Sequence, residues 1–412
     1  MLGARWQSRS GRNIPNPAKG GLGATHSGVA ERFVLIDMLT HSSFGEGMSM
    51  SEQPGKSIRL KRLTIRNFKA FENFTIDFHP PRMKDDPDIL VIGSSNGLGK
   101  TSILEACSLL YLATIPEANF LNIRRYPKAT VDLPDLLIRS GAKEASIEGT
   151  FSTTSEENIL GSLTLYRSGK IAVDRESREI SLSASEFGLP SANPSSNDEV
   201  VTNLLLALLG INSDPLLLPP FMYFHSYRKI PEGRLEFGQL VDGGHRQRTG
   251  SPITTLKFEV LRALISREGL FEDFDAFEAK EVLETLDKLM KQYAQVTIGK
   301  LRLSPENTID FRVIPGNGNN GPPYSFDSLS SGQKEIISTL FLIGRYGQKY
   351  PGIVLIDEPE LHLNIEWHWS LIRHMCQLAP GNQYIIATHS PDIFEAVDKD
   401  RRILLVPEKE ES

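Results

Sequence analysis

Residues 88–112 read DILVIGSSNGLGKTSILEACSLLYL, an apolar run, a glycine-rich turn and a second apolar run in direct succession. The first run, 88–92, is typical of a short buried strand, and the spacing of apolar residues after the turn predicts a helix. Strand, glycine loop and helix in this order are the context that a phosphate-binding loop requires. The stretch therefore predicts such a loop within an α/β fold.

The turn contains the residue types that phosphate binding needs. Gly97 and Gly99 allow several backbone N–H groups to converge on phosphate oxygens, and the positive end of the following helix adds to the attraction. Lys100 supplies a cation for the β- and γ-phosphates, and the Thr101 hydroxyl is placed to ligate Mg²⁺. The usual pattern has glycine at position 94, where this chain has Ser94. The alternative to a phosphate-binding loop is a glycine-rich turn that only caps the following helix. The predicted binding residues are Asn96, Gly97, Leu98, Gly99, Lys100, Thr101 and Ser102.

A second candidate phosphate-binding piece, LSSGQKE, lies far downstream at 329–335. Ser330 and Ser331, with Gly332 and Gln333, precede a helical pattern, and hydroxyls beside the N–H groups of a helix start suit a γ-phosphate. The alternative is a capping box between Ser330 and Gln333. Both interpretations are compatible, because a helix cap and an anion site share one geometry.

Two further apolar runs end in polar residues. GIVLIDEPE at 352–360 predicts a buried strand that ends in paired acids, where an α/β sheet presents its ligands. Asp357 is predicted to hold Mg²⁺, directly or through water, and Glu358 to polarise the water that attacks the γ-phosphate. The alternative is that the acids only favour the start of the next helix. A strand at 384–387 precedes His389, which is predicted to contact the γ-phosphate.

Composition excludes several classes of protein. The chain has 412 residues, of which 40% are hydrophobic and 23% charged, and its net charge of -6 argues against a surface that attracts nucleic acid everywhere. Cys107 and Cys376 are too few for a disulfide framework and indicate free thiols in a reducing compartment, so a cytoplasmic location is expected. No apolar run reaches the roughly 18 residues of a membrane span, and no membrane contact is expected.

The two ends of the chain differ from its body. From Met1 to Ala30 there is no acidic residue, so residues 1–56 are predicted to be a disordered extension. Translation that starts near Met48 and an organellar presequence are the two explanations. The folded body is expected at 57–407, followed by a charged tail at 408–412.

The region between the two phosphate-binding pieces predicts a mixed insertion. Strands are expected at 144–152 and 162–174, helices at 255–266 and 273–293, and two further strands within 297–313. Neither helix is long enough to supply the many heptads of a coiled-coil arm.

Four stretches in this order resemble the Walker A, signature, Walker B and switch-histidine motifs of an ABC-type ATPase head. They are SSNGLGKTS, LSSGQKE, VLIDEPELHL and IIATHSPDIF. The opening RLTIRNFKAFENFTIDF, predicted as two strands within 58–78, resembles the start of the RecF, chromosome-maintenance (SMC) and OLD-nuclease branch. The resemblance covers about 58–112 and 326–405. It implies a two-lobed α/β ATPase fold with a mixed sheet, and helical and β insertions between Walker A and the signature. On this resemblance one lobe is expected at about 57–180 and 350–407, and the insertion with the second lobe at about 181–349.

The same resemblance implies how the two phosphate-binding pieces are used. In such heads the signature lies too far from its own phosphate loop to touch the same ATP, and it completes the site of a second subunit placed head to tail. The expected assembly is therefore a homodimer, or a higher homo-oligomer, that binds ATP and Mg²⁺ in composite sites. Ser331 stands where transporters usually have glycine, a variant expected of this branch.

One familiar part is missing. ABC heads commonly have a glutamine after Walker A that senses Mg²⁺ and the γ-phosphate, yet no Gln occurs between Gln53 and Gln239. Asp135 and Arg139 are candidates to replace it by position only.

Two functions fit these features. The first is the ATPase or sensor component of a prokaryotic anti-phage or toxin-type system that acts through a separately encoded effector. The second is a RecF-like repair ATPase that clamps duplex DNA. A transporter subunit is disfavoured by the RecF-like opening, and a self-contained OLD nuclease by the few residues after His389. Candidate DNA contacts are Arg124, Arg125, Lys128, Arg228 and Lys229.

Overall fold

The computed structural model describes residues 57–83, 86–95, 97–114, 136–153, 158–169, 171–175, 215–218, 220–228, 235–236, 255–267, 276–303, 308–316 and 321–406. The predicted N-terminal extension and charged tail lie outside these ranges, and the lobe boundaries stay predictions.

The strands follow one another along the chain in the order of their labels. They are β1 (Ile58–Phe68), β2 (Phe71–Asp77), β3 (Asp88–Gly93), β4 (Glu144–Thr153), β5 (Asn158–Tyr166), β6 (Ile171–Arg175), β7 (Leu216–Leu218), β8 (Phe221–Phe224), β9 (Leu235–Glu236), β10 (Val296–Ile298), β11 (Arg302–Leu303), β12 (Thr308–Asp310), β13 (Arg312–Pro315), β14 (Tyr324–Ser325), β15 (Ile353–Asp357), β16 (Gln383–Thr388) and β17 (Arg402–Leu404). The helices are α1 (Lys100–Thr114), α2 (Thr255–Arg267), α3 (Ala276–Ala294), α4 (Ser331–Lys349), α5 (His368–Leu378) and α6 (Pro391–Glu395).

The sheet that positions the motifs has the strand order β17-β3-β16-β15-β8-β7. Adjacent strands in this sheet are parallel, except that β7 and β8 are antiparallel. The register places Asp357 beside Ala387 and Ala387 beside Ile92, with Thr388 beside Gly93. The strands that precede the Walker A loop, the Walker B acids and the switch histidine therefore end level with one another at one sheet edge.

A second, antiparallel sheet has the strand order β2-β1-β4-β5-β6. Its exposed face carries the ion pairs Arg62–Asp77 and Arg66–Glu148. On β16 the Gln383 side chain joins the two sheets, because its amide accepts from Leu60 N at 2.8 Å and donates to Leu60 O at 2.9 Å.

Helix α1 contacts both of these sheets. All of its residues except Thr101 are buried, which fits its mostly apolar sequence, and its buried Glu105 is paired with Lys69. A Cβ at Gly149 on β4 would lie 2.4 Å from Leu110, so glycine at this position lets the helix approach the strand. Thr101 is the position at which α1 meets the loop edge of the parallel sheet.

Helices α2, α3, α4 and α5 share a second core with the other face of the parallel sheet. The predicted helices at 255–266 and 273–293 are confirmed as α2 and α3. The prediction of strands within 297–313 is confirmed, but their number is wrong, because the described residues there belong to four short strands, β10 to β13, in two small sheets. Strand β10 ends just before Gly299. The Gly299 N–H donates to Arg312 O, and a Cβ at Gly299 would lie 2.9 Å from that oxygen.

The observed architecture is the α/β class predicted from the sequence. It has a mixed parallel and antiparallel core, and both strands and helices lie between the Walker A and signature motifs. No helix among the described residues is long and apolar enough to cross a membrane.

Candidate nucleotide site

The phosphate loop follows β3 and leads into α1. Gly97 and Gly99 have φ values of +83° and +90°, a left-handed conformation that favours glycine. At Gly99 a Cβ would also lie 2.7 Å from the ring of Phe71, the first residue of β2. The loop thus needs glycine at position 99 for both its backbone and its packing. Asn96 lies outside the described residues.

Lys100 points into the loop. Its ammonium lies 2.9 Å from Ser94 Oγ, 3.2 Å from Ser94 O and 2.8 Å from His389 Nε2. Burial lowers the pKa of Lys100, and the charges of Glu358, Asp357 and Glu360 oppose that shift. Ser94, the departure from the usual glycine, therefore contributes a hydroxyl contact to the lysine.

Thr101 and Asp357 meet between α1 and β15. The Thr101 hydroxyl donates to the Asp357 carboxylate, with oxygen–oxygen distances of 2.9 and 3.2 Å. Asp357 is fully buried, and this burial raises its pKa to about 7, against the effect of the Thr101 hydrogen bond. A hydroxyl and a carboxylate are hard oxygen donors of the kind that Mg²⁺ prefers beside phosphate oxygens and water. The residues present fit this ion.

Glu358 follows β15 in an unusual backbone conformation. Its φ is +46°, in a region that few residues other than glycine adopt. Its N–H donates to Ala387 O at 2.8 Å, and its carboxylate lies 3.1 Å from His389 Nε2. The side chain is partly exposed, so it faces the same open edge as Lys100 and Thr101.

Glu360 is a site residue that the motif patterns did not single out. Its carboxylate accepts from Thr388 Oγ1 at 2.8 Å, from Ser390 N at 3.1 Å and from His389 N. The carboxylate thus holds the backbone on both sides of the switch histidine. In the sequence, the only indication of this role is that Glu360 is the third acidic residue of the DEPE run at 357–360.

Glu360→Ala is expected to lower kcat for ATP hydrolysis by about 10- to 100-fold with little change in nucleotide binding, because it frees the loop that positions His389. Glu395→Ala, which removes an exposed carboxylate at the end of α6, is the matched control. The measurement is steady-state ATPase activity beside nucleotide titration. Equal activity of the two variants would contradict a positioning role for Glu360.

The signature stretch begins helix α4. Ser330 Oγ accepts from Gln333 N at 3.3 Å and Gln333 Oε1 accepts from Ser330 N at 3.1 Å, so the capping box predicted as an alternative is present. Ser330 and Ser331 are exposed. Among the hydrogen bonds of the described residues, none joins positions 330–333 to the phosphate loop. Walker A, Walker B and His389 meet within this chain, and the signature presents its hydroxyls to solvent.

Gly332 packs directly on the loop after Walker B. A Cβ at this position would lie 2.0 Å from His362 O, a backbone atom with little freedom to move. Gly332→Ala is therefore expected to lower the free energy of unfolding by about 1–3 kcal/mol. Gly344→Ala in the same helix has only contacts of 3.9 Å and should raise the free energy by about 0.5–1 kcal/mol. Urea unfolding of both variants measures the difference, and equal stabilities would contradict this close packing.

The structure corrects one predicted contact. Arg228, a candidate for DNA phosphates, is 6% exposed, and its guanidinium donates to Asp357 O at 2.6 Å. It cannot face duplex DNA from this position. The candidates Arg124, Arg125, Lys128 and Lys229 lie outside the described residues.

Of the two candidates to replace the missing glutamine, the structure describes Arg139 and not Asp135. Asp135 lies outside the described residues. The Arg139 guanidinium donates to Ala70 O at 2.9 Å and lies 3.5 Å from Glu72 on the β1–β2 hairpin. Arg139 is thus held by the hairpin that supports the phosphate loop.

Comparison with known proteins gives one family and several relatives. A family model described as "AAA domain, putative AbiEii toxin, Type IV TA system" matches residues 91–395, which include all four motifs. "Retron Ec83 probable ATPase" of Escherichia coli is 22% identical over 88% of this chain and 74% of its own length. Septu protein PtuA of Bacillus mycoides is 24% identical over 87% of this chain, which spans only 42% of that relative. A solved Smc head bound to the C-winged helix domain of ScpA covers 84% of this chain and 94% of its own, with 15% identity and a TM-score of 0.49.

Proposed function

The chain belongs to this AAA domain family, and from that premise we propose that it is an ATPase that hydrolyses ATP in composite sites shared by two subunits. The observation that carries the proposal is the convergence of Lys100, Thr101, Asp357, Glu358 and His389 at one edge of the parallel sheet. These groups approach one another within hydrogen-bond distances although they come from widely separated parts of the sequence.

Each group has a role that follows from its chemistry. The loop N–H groups and the Lys100 ammonium bind the β- and γ-phosphates. Thr101 and Asp357 would hold Mg²⁺, which when bound would supply positive charge to the phosphate oxygens. The Glu358 carboxylate orients the attacking water and accepts its proton. His389, beside both Glu358 and Lys100, donates toward the γ-phosphate.

The second half of each site comes from a partner subunit. Ser330 and Ser331 are exposed at the start of α4, where helix N–H groups and hydroxyls suit an anion. Because they form no hydrogen bond with the phosphate loop of their own chain among the described residues, we assign them to the nucleotide of a second copy. Head-to-tail closure of two copies then completes two equivalent sites.

The relatives support a place in a defence or toxin-type system. The family description names a toxin of a TA system, and one relative is the probable ATPase of a retron. We assign to this chain the ATPase or sensor role in the cytoplasm, with a separately encoded effector as its partner. The RecF-like alternative is less well supported, because Arg228 is buried and cannot contact DNA. On the exposed face of the antiparallel sheet, Arg62 and Arg66 are paired with acidic side chains rather than forming a basic patch.

Purified protein should release phosphate from ATP in the presence of Mg²⁺, and Asp357→Asn should lower that rate by about 100-fold or more, because the ion loses its carboxylate ligand. Asp310→Asn, in the small sheet β11-β12-β9, is a control outside the site. The rate should be the same with and without duplex DNA. No activity in the wild-type chain would contradict the ATPase assignment, whereas strong stimulation by DNA would favour the repair alternative.

A further inference from the structure

Arg228 connects the Walker B acids to the signature helix within one chain. It follows β8, the strand beside β15, and is 6% exposed. Its guanidinium donates to Asp357 O at 2.6 Å, to His225 O at 2.9 Å and to Glu358 O at 3.2 Å. The same group forms an ion pair of 2.8 Å with Glu335. One planar side chain thus contacts the backbone of both catalytic-site acids and a carboxylate of another element.

Glu335 belongs to the helix that carries the signature. It lies one turn after Ser331 in α4, and residues four apart on a helix share a face. It is 7% exposed, and its charge is compensated chiefly by Arg228, with a further contribution from His362. A shift of α4 would therefore have to move the guanidinium or break a buried ion pair.

The backbone at the other end of this connection is sensitive to small movements. The carbonyl of Asp357, which accepts from Arg228, belongs to the peptide that precedes Glu358, whose φ is +46°. Rotation of that peptide changes the same φ and redirects the Glu358 side chain. A left-handed residue is retained only where its surroundings fix it, and the Arg228 bonds to Asp357 O and Glu358 O supply that restraint.

A second contact joins the same two elements. Gly332 in the first turn of α4 packs on His362 O, at the far end of the loop that begins at Glu358. His362 also has a left-handed φ, of +63°. The loop after Walker B is thus held against the signature helix at Gly332, and tied to it through Arg228 at its start.

We propose that the Arg228–Glu335 bridge positions Glu358 according to the placement of the signature helix, so that binding of one subunit's signature to its partner's ATP activates the acids of its own site. This inference rests on the proposed composite-site ATPase. Arg228 and Glu335 are positioning residues in it, because neither touches the nucleotide. The expected result is cooperativity between the two sites, carried by a contact that no sequence motif contains.

The test must separate this role from a contribution to stability. Replacing a buried ion pair by apolar residues of similar length often leaves stability unchanged or raised. The double variant Arg228→Met/Glu335→Met avoids an unpaired buried charge, but it leaves the carbonyls of His225, Asp357 and Glu358 without this donor, so it should unfold a few degrees below the wild type. Glu259→Gln is the matched control, because Glu259 is a buried acid that pairs with Arg345 near the other end of α4.

The measurements are ATP binding, ATP-dependent dimerisation and the dependence of hydrolysis rate on ATP concentration. The double variant should bind ATP within about twofold of wild type, lose about 10-fold in kcat, and show a Hill coefficient that falls from above 1 to about 1. Arg228→Lys keeps the charge without the planar fork and should not restore cooperativity. Glu259→Gln should keep the wild-type profile.

Retention of wild-type kcat and cooperativity by the double variant would overturn the bridge, as would a wild-type chain that hydrolyses ATP without cooperativity. A wild-type chain with no ATPase activity would instead overturn the proposed function itself. The two failures are therefore distinguishable in one set of assays.

Discussion

Glu358→Gln is expected to bind ATP and Mg²⁺ but to hydrolyse ATP about 10²- to 10⁴-fold more slowly, because the amide cannot accept a proton from the attacking water. The Gln side chain has nearly the same shape, so the bonds around it persist, including Glu358 N to Ala387 O. The ATP-bound state should then accumulate. Gel filtration with ATP should show a larger dimer fraction than for the wild-type chain.

Glu366→Gln is the control for this experiment. Glu366 is an exposed carboxylate in the turn after Walker B, and its loss should leave both hydrolysis and dimerisation at the wild-type level. If Glu358→Gln hydrolyses ATP at the wild-type rate, another group is the base. If it is inactive without any increase in dimer, the proposed link between bound ATP and subunit closure is wrong.

The parts of the site that the sequence predicts are of two kinds: motifs that are contiguous in the chain, and polar residues that directly follow an apolar strand. The glycine loop is contiguous in sequence, so its φ values at Gly97 and Gly99 follow from residue type. Asp357 and His389 were placed together because each follows an apolar strand, and the parallel register brings those ends level. The start of α6 is equally local, because Ser390 Oγ accepts from Ile393 N and Pro391 occupies the first turn.

The parts that were missed depend on backbone acceptors and donors far away in sequence. Glu360 binds the N–H groups of His389 and Ser390, which any residue type would offer. Arg228 binds the carbonyls of Asp357 and Glu358, so its pattern in the sequence resembles that of a surface basic residue. Any residue type offers the same main-chain N–H and C=O groups, so the sequence does not indicate which residues accept or donate these hydrogen bonds. Only the folded structure reveals them.

Lys100→Ala and Ser331→Arg test whether the two phosphate-binding pieces meet across a subunit interface. Lys100→Ala removes the cation that binds the β- and γ-phosphates. Ser331 is exposed, so an arginine there is tolerated by the fold but blocks the approach of the signature to a nucleotide. Each homodimer should lose nearly all activity, about 100-fold or more, because both of its composite sites are broken.

Mixing the two inactive proteins should restore part of the activity. The one intact site lies in the chain whose own signature is blocked, so the Arg228–Glu335 bridge leaves its acids less active than in the wild-type dimer. In a mixed dimer one site inherits both changes, while the other pairs an intact Lys100 with an intact Ser331 from the partner. Independent sites would give at most about half the wild-type rate per dimer under head-to-tail symmetry. Strict coupling between sites suppresses the recovery, so ATP-dependent formation of mixed dimers is measured as the control.

A covalently linked dimer with both changes on one subunit tests the central claim most directly. If the signature acts on the partner's ATP, one site of this dimer lacks Lys100 and the other faces the blocked Ser331→Arg signature, so the linked protein should be inactive. A linked wild-type dimer should hydrolyse ATP at the normal rate and shows that the linker is tolerated. Robust activity of the doubly changed dimer, near half of that rate, would show that each signature serves its own chain and would contradict the composite site.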